Sequence, residues 1–253
     1  MAAALKLHRT VGRRRAARFL AEGPNLVETA SRRGLVSEVF ATEAALDRFG
    51  SMLVDVPVHV VTERAAKALS ETVTPVGLVA VCEVPQVTLA EVLSSAPRLV
   101  SVAVGISEPG NAGTLIRIAD AMGAGAVVLA GHSVDPYNGK CLRASTGSIF
   151  SIPVVEEPDA AAAVAALHEA GLRTLATTVD GELDLDAAES LLGEPTAWVF
   201  GPESQGLPAD VATLAQHRVR IPMPGNAESL NVAAAAAICM YQSARAGRLG
   251  SRH

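Results

Sequence analysis

After Pro97, short apolar runs alternate regularly with helical segments, and this pattern limits the possible folds of the chain more than any other feature. Strands are predicted at 98–105, 126–130, 152–155, 173–178, 196–200 and 217–221, and helices near 112–122, 138–147, 159–170, 207–215 and 229–246. Successive strands separated by helices need crossover connections. We therefore expect an α/β fold with a mostly parallel sheet, and ligands at the carboxyl ends of its strands.

The residues before Pro97 predict a smaller α/β unit. Residues 1–20 are expected to form a basic helix or arm. Strands are predicted at 37–42, 58–62 and 77–83, and helices near 25–33, 43–49 and 63–70. The segment 84–97 has a proline close to each end and is the expected linker, with a short helix in its middle. We therefore predict two domains, 1–95 and 96–253.

Charge is distributed unevenly along the chain. Residues 1–33 hold eight Lys and Arg residues against two Glu residues, which is a local net charge of +6 in a chain whose total is −5. Such asymmetry predicts a local basic face that can contact the phosphates of RNA. A basic arm that only aids solubility would have the same composition.

Cysteine usage and hydropathy narrow the class of protein. The three cysteines, Cys82, Cys141 and Cys239, form no CxxC pair, so we expect buried free thiols in a reducing compartment and neither disulfides nor a zinc site. The longest apolar stretch, 232–240, is much shorter than the roughly 20 residues of a membrane span. No signal peptide is recognisable near the amino terminus. We expect a cytoplasmic protein without a membrane partner.

Several familiar sites are absent from the sequence. The glycines at 123 and 125 precede a predicted strand, whereas a dinucleotide fingerprint follows one, and no GxxxxGK[ST] motif is present. The six histidines are scattered and form no HExxH motif, so we expect no catalytic metal. Ser204 does not have the GxSxG spacing of a hydrolase nucleophile.

Three loops of unusual composition are the candidates for chemistry. The first, 107–114, leads into a helix that carries Arg117, and we expect Asn111 to cap this helix with Arg117 close to its start, facing an anionic ligand. In the second, 200–208, two glycines on either side of an acidic residue allow a ligand close to the backbone.

The third loop, 221–232, combines prolines and a glycine, and it leads into a helix whose first turn is expected to hold Ser229 and Asn231. Five alanines follow and give this helix a face with small side chains, although such a run is also simply a good helix former. Each loop alone is weak evidence. The three in this order are specific.

The sequence here resembles a known family. NAGTLIRIADAMGA (111–124), VFGPESQGLP (199–208) and IPMPGNAESLNVAAAAA (221–237) resemble the three motifs of the SpoU, or TrmH-like, RNA ribose methyltransferases of the SPOUT superfamily. The resemblance covers 98–246 and implies a carboxyl-terminal deep trefoil knot, a homodimer whose active site draws on both subunits, and methyl transfer from S-adenosylmethionine to a ribose 2′-hydroxyl without a metal.

The resemblance also implies a set of site residues. The catalytic candidates are Asn111, Arg117, Glu203, Ser229 and Asn231. The cofactor-binding candidates are Thr178, Phe200, Gly201, Glu203, Gly206, Ile221, Met223, Leu230 and Asn231. The RNA-binding candidates are Arg13, Arg14, Arg15, Arg18 and Arg143. Asn111 and Arg117 would lie nearest the reacting ribose, and Gly201, Ile221 and Leu230 would contribute backbone and apolar contacts to the cofactor.

The amino-terminal part has a shorter match. Residues 18–28 are similar to the start of a substrate-binding domain that looks like a small ribosomal-protein fold. Members that modify ribosomal RNA, including thiostrepton-resistance-type enzymes, commonly carry this domain, so 23S ribosomal RNA is the preferred substrate. Three alternatives stay open: a transfer-RNA ribose methyltransferase, a non-catalytic RNA-binding or ribosome-assembly factor of the same fold, and a different nucleotide-dependent α/β enzyme.

In the family that the sequence resembles, the arginine at the position of Arg117 has been proposed as the general base that accepts the 2′ proton. A guanidinium is effectively always protonated in proteins. Our hypothesis is therefore that Arg117 pairs with a substrate phosphate and stabilises the developing alkoxide, while phosphate or water accepts the proton.

Overall fold

The chain divides into two compact units. The computed structural model describes residues 1–202 and 206–250, and for 249 and 250 only the backbone. The first unit consists of Met1–Gln86 together with Asp135–Phe150, and the second of Val87–Val134 together with the described residues from Ser151 onwards. The segment 135–150 packs in the first unit although it lies within the predicted second domain. The predicted limits of the two functional domains stay a prediction.

The secondary structure follows the predicted alternation. The helices are α1 Ala2–Leu5, α2 Thr10–Ala16, α3 Pro24–Arg32, α4 Glu43–Phe49, α5 Glu63–Leu69, α6 Leu89–Ser94, α7 Pro109–Ala121, α8 Gly139–Ser145, α9 Ala160–Glu169, α10 Glu189–Leu192, α11 Ala209–Leu214 and α12 Val232–Gly250. The strands are β1 Arg18–Glu22, β2 Val36–Ala41, β3 Val58–Val60, β4 Leu78–Glu83, β5 Leu99–Val104, β6 Ala126–Ala130, β7 Val154–Glu157, β8 Arg173–Thr177, β9 Leu183–Asp184, β10 Thr196–Phe200 and β11 His217–Arg220.

The first unit contains a four-stranded sheet in the order β1-β4-β2-β3. Strand β4 pairs antiparallel with β1 and β2, and β2 pairs parallel with β3. Prediction missed β1, because five residues with charged ends inside a basic segment give no visible alternation. Its apolar residues are buried, and the ring of Phe19 lies 4.9 Å from that of Tyr137 and 5.9 Å from that of Phe150.

The second unit contains a seven-stranded sheet in the order β7-β6-β5-β10-β8-β11-β9, in which every pair is parallel. The predicted parallel α/β sheet is confirmed. Strands β6 and β10 have the predicted bounds, and both are buried along their whole length, as strands of a covered parallel sheet should be. Prediction missed β9 and α10, which are too short to show a periodicity.

The three cysteines are free and buried, as predicted. Burial raises the pKa of the Cys82 thiol to about 12 and that of Cys239 further, so both thiols stay protonated at neutral pH. Among the described residues, no helix is both long enough and apolar enough to cross a membrane.

Candidate cofactor cavity and active site

The second unit contains a cavity of about 550 Å³ at the carboxyl ends of β8, β10 and β11. A cavity of this size can hold a cofactor-sized molecule. Seven predicted cofactor-binding residues line it: Thr178, Phe200, Gly201, Gly206, Ile221, Met223 and Leu230. Ser229 also lines it. The predicted residue Glu203 lies outside the described residues.

Gly201 occupies a position where a side chain does not fit. A Cβ atom added there would lie 2.4 Å from the amide nitrogen of Leu207 and 2.6 Å from the carbonyl carbon of Gly206. Both neighbours are backbone atoms and cannot rotate away. Gly206 itself has a φ of +66°, the left-handed conformation that glycine adopts without strain. The two glycines therefore hold the wall of the cavity in a close backbone approach.

Thr178 presents an unsatisfied hydroxyl group at the cavity. Its backbone nitrogen donates to the carbonyl oxygen of Val219 at 3.0 Å, which ties the end of β8 to β11. Its Oγ1 atom is buried and has no hydrogen-bond partner among the described residues. Because a buried hydroxyl without a partner is costly, a polar group of a ligand in the cavity would satisfy it.

Arg218 and Asp180 are cavity-lining residues that sequence reasoning missed. The guanidinium of Arg218 lies 2.9 Å from the Glu182 carboxylate and 3.4 Å from that of Asp180. Backbone N–H groups of Glu182 and Arg218, together with the Arg218 guanidinium, lower the pKa of the Glu182 carboxyl group. A sequence signal existed, because basic residues at 218 and 220 share the spacing of acidic residues at 182 and 184, and Arg220 pairs with Asp184 in the same way.

The starts of α7 and α12 meet through two predicted catalytic residues. Asn231 Nδ2 donates a hydrogen bond to Asn111 Oδ1 at 3.2 Å. Asn231 directly follows the lining residues Ser229 and Leu230, so this pair adjoins the cavity along the chain. The first and third motif loops therefore meet at one site.

Both helix starts differ from the predictions. The N-cap of α7 is Glu108, whose carboxylate accepts a hydrogen bond from the backbone N–H of Asn111 at 2.8 Å, so the prediction of Asn111 as the cap is wrong. Glu108 is the N-cap because Pro109, which follows it, suits the first position of a helix. In α12 the cap is Asn231, whose Oδ1 accepts from the amides of Ala233 and Ala234. Ser229 accordingly precedes the helix and is not in its first turn.

Arg117 is the ninth residue of α7 rather than part of its first turn, so the predicted position near the helix start is wrong. It lies six residues beyond Asn111, which is about 9 Å along a helix axis. The side chain is exposed. Within residues 1–202 and 206–250 it has no hydrogen bond or ion pair, so its guanidinium is available to a ligand.

The RNA-binding candidates differ in their environments. Arg14, Arg15 and Arg18 are exposed, and Arg18 lies 3.8 Å from Glu83. Arg143 is half-buried and pairs with Glu71 at 3.8 Å.

Arg13 is only 5% exposed and pairs with Asp135 at 2.7 Å. Its guanidinium also donates to the carbonyl oxygens of Leu7 and His8 and to Thr10 Oγ1. The donors of Arg13 are used inside the unit, which argues against the predicted contact of Arg13 with RNA.

Comparisons with known proteins identify the family. Residues 98–241, more than half of the chain, match the model of the SpoU rRNA Methylase family. The chain belongs to this family. Residues 3–80 of this SpoU protein match the MRM3-like substrate binding domain. The resemblance that the three motifs indicated is thereby confirmed.

Relatives of this SpoU protein include ribosomal-RNA enzymes. It is 36% identical over 238 residues to the 23S rRNA (guanosine(2553)-2′-O)-methyltransferase RlmP of Bacillus subtilis. This match covers 93% of this chain and 92% of that protein. It is 39% identical over 142 residues to the 23S rRNA (uridine(2479)-2′-O)-methyltransferase of Streptomyces viridochromogenes, which covers 55% of this chain and half of that protein.

Solved structures of the family show the same fold. The SpoU methyltransferase AviRb from Streptomyces viridochromogenes, in complex with the cofactor AdoMet, superposes with a TM-score of 0.85 at 30% identity. The match covers 96% of this chain and 95% of that one. The matched part includes most residues of each unit.

Proposed function

We propose that this SpoU protein transfers a methyl group from S-adenosylmethionine to the 2′-hydroxyl of a ribose in 23S ribosomal RNA. The observation that carries the proposal is the cavity at the carboxyl ends of β8, β10 and β11, which adjoins the Asn111–Asn231 pair. The relatives named above act on 23S ribosomal RNA by their names. A structure concerned with transfer-RNA methylation matches only 60% of this chain, with a TM-score of 0.51, so transfer RNA is the weaker candidate.

The residues present fit the cofactor. The unsatisfied Thr178 hydroxyl offers one polar contact, and the backbone around Gly201 and Gly206 can approach a ligand closely. Ile221, Met223 and Leu230 supply apolar wall. We assign these residues, together with Phe200, to cofactor binding. When bound, the cofactor would supply a methyl group that is already activated by a sulfonium charge.

The work left to the protein is to position the ribose oxygen and to stabilise the charge that develops on it. In our proposal Arg117 binds a substrate phosphate and stabilises the alkoxide, and phosphate or water accepts the 2′ proton. We also assign Asn111, Ser229 and Glu203 to the active site, as the family resemblance implies. The proposal includes a homodimer, a trefoil knot in the carboxyl-terminal domain (96–253), RNA binding by the amino-terminal domain (1–95), and a cytoplasmic location.

Methyl transfer to purified RNA tests the proposed function. The protein is incubated with labelled S-adenosylmethionine and either 23S ribosomal RNA or total transfer RNA, and the modified position is mapped by its resistance to alkaline hydrolysis. We expect label in 23S RNA on a ribose. Label only in transfer RNA would overturn the substrate assignment, and no label in either RNA would favour a non-catalytic RNA-binding factor.

Replacing Arg117 by lysine is expected to lower kcat by about tenfold to a hundredfold, because lysine keeps the charge but loses the planar, bidentate donor geometry. Cofactor affinity should not change, since Arg117 does not line the cavity. Single-turnover methyl transfer and calorimetry measure the two effects. Arg173→Lys, an exposed arginine at the amino end of β8, is the matched control. Normal turnover of Arg117→Lys would exclude a geometry-dependent role.

Replacing Arg14 and Arg15 together by alanine is expected to weaken RNA binding and to reduce its salt dependence. Each phosphate contact that is lost should lower the slope of log K against log[salt] by about 0.7 to 0.9. The control is Arg48→Ala with Arg64→Ala, which removes the same charge from exposed positions outside residues 1–33. Equal slopes for both double variants would remove the basic segment from RNA binding.

A further inference from the structure

The orientation of the Asn231 side-chain amide is determined by the backbone of α12. Its Oδ1 atom accepts hydrogen bonds from the amides of Ala233 at 3.0 Å and Ala234 at 3.3 Å. Backbone amides only donate, so the oxygen must face them and cannot exchange places with the nitrogen. The NH₂ group of Asn231 is therefore the end that faces Asn111, 3.2 Å from its Oδ1 atom.

This orientation extends to Asn111. Because Asn231 donates, the side chain of Asn111 must accept with its Oδ1 atom. The other end of the Asn111 side-chain amide is then its NH₂ group, which donates to any group placed next to it. Through Asn231, the backbone of α12 therefore fixes the orientation of the Asn111 side-chain amide, whose NH₂ group points away from Asn231.

On this basis, and resting on the proposed function, we propose that Asn231 is a positioning residue that keeps the NH₂ group of Asn111 directed at the reacting ribose oxygen. In the transfer, the 2′ oxygen loses its proton to phosphate or water and forms a bond to the methyl carbon. The carbon–sulfur bond breaks, and its electron pair leaves on sulfur. An N–H donor stabilises the negative charge that develops on the ribose oxygen, whereas a carbonyl oxygen in its place would repel that charge.

Asn231→Asp separates the two roles of the residue. Aspartate is as good an N-cap as asparagine, and its charge interacts favourably with the amino end of α12, so the melting temperature should stay equal or rise. The carboxylate has no N–H to donate. Asn111 would then turn its NH₂ group towards Asp and present its oxygen to the substrate. We expect kcat to fall by about tenfold or more while cofactor affinity changes less than about twofold.

A double-mutant cycle tests whether Asn231 acts through Asn111. In an Asn111→Ala background, the additional Asn231→Asp change should lower kcat by less than about twofold, because the amide it would misdirect is gone. Asn226→Asp adds the same charge to an exposed position in the same loop and serves as the control for charge alone. Single-turnover rates, calorimetry with S-adenosylmethionine and thermal melting are measured for each variant.

The possible results are distinct. Normal turnover of Asn231→Asp, or an undiminished loss in the Asn111→Ala background, would overturn the positioning role. A large loss of cofactor affinity would instead make Asn231 a direct cofactor ligand and also overturn it. An unsubstituted protein that methylates no ribosomal RNA would disprove the proposed function, and this inference with it.

Discussion

Gly201→Ala is expected to reduce the affinity for S-adenosylmethionine by more than about a hundredfold. The added Cβ would lie 2.4 Å from the amide nitrogen of Leu207, closer than real Cβ contacts come. The backbone at 206 and 207, which lines the cavity, must therefore move, and a loss of about 3 kcal/mol from such overpacking corresponds to about a hundredfold in affinity. Calorimetric titration with the cofactor measures the affinity directly.

The control for Gly201→Ala is Gly193→Ala in the same unit. Gly193 has an ordinary helical φ of −73°, and an added Cβ would meet only the carbonyl oxygen of Ser190 at 3.7 Å, an ordinary contact. The control should bind the cofactor normally. If Gly201→Ala also binds normally and keeps its melting temperature, the loop after β10 is not part of the cofactor site.

Arg13→Ala is expected to destabilise the first unit by about 3–5 kcal/mol, because it leaves the Asp135 carboxylate buried without its partner. The Asp135 side chain is only 9% exposed and lies 2.7 Å from the guanidinium. The substitution also removes the donors to the carbonyl oxygens of Leu7 and His8. Urea denaturation measures the change in the free energy of unfolding.

Two further variants make the result specific. Arg14→Ala removes the neighbouring, exposed arginine and should change stability by less than about 0.5 kcal/mol. Adding Asp135→Ala to Arg13→Ala should recover part of the loss, since the unpaired charge is then gone. An Arg13→Ala protein of normal stability but weak RNA affinity would restore Arg13 to the RNA-binding surface.

Sequence patterns predicted the sheet of the second unit because the burial of its strands is visible in local runs of apolar residues, whereas the residues of the cavity wall came from the family resemblance. Strands buried on both faces, such as β6 and β10, appear as continuous apolar runs and can be located to the residue. In a parallel sheet all strands end at the same side, so the loops after β8, β10 and β11 had to converge. The seven cofactor candidates that line the cavity lie in or beside these loops, and the family resemblance had named them.

Helix starts were predicted less well because several residues compete to cap. Both Glu108 and Asn111 could have capped α7, and Pro109 decided in favour of the earlier start. The N-cap of α12 is Asn231, whereas the prediction placed the start of this helix at Ser229. The shift matters for function, because it makes Asn231 the link between the helix backbone and Asn111.

The sequence by itself determined the α/β class, the parallel sheet and the three loops that carry the family motifs, since apolar periodicity and turn composition are local properties of the chain. Only the tertiary structure decided how the charged residues are used. Arg13 and Asp135 are 122 residues apart and still form a buried pair, while Arg14 stays exposed. Whether an arginine is buried in an ion pair or stays exposed to RNA depends on which distant segment packs against it, and no local pattern contains that information.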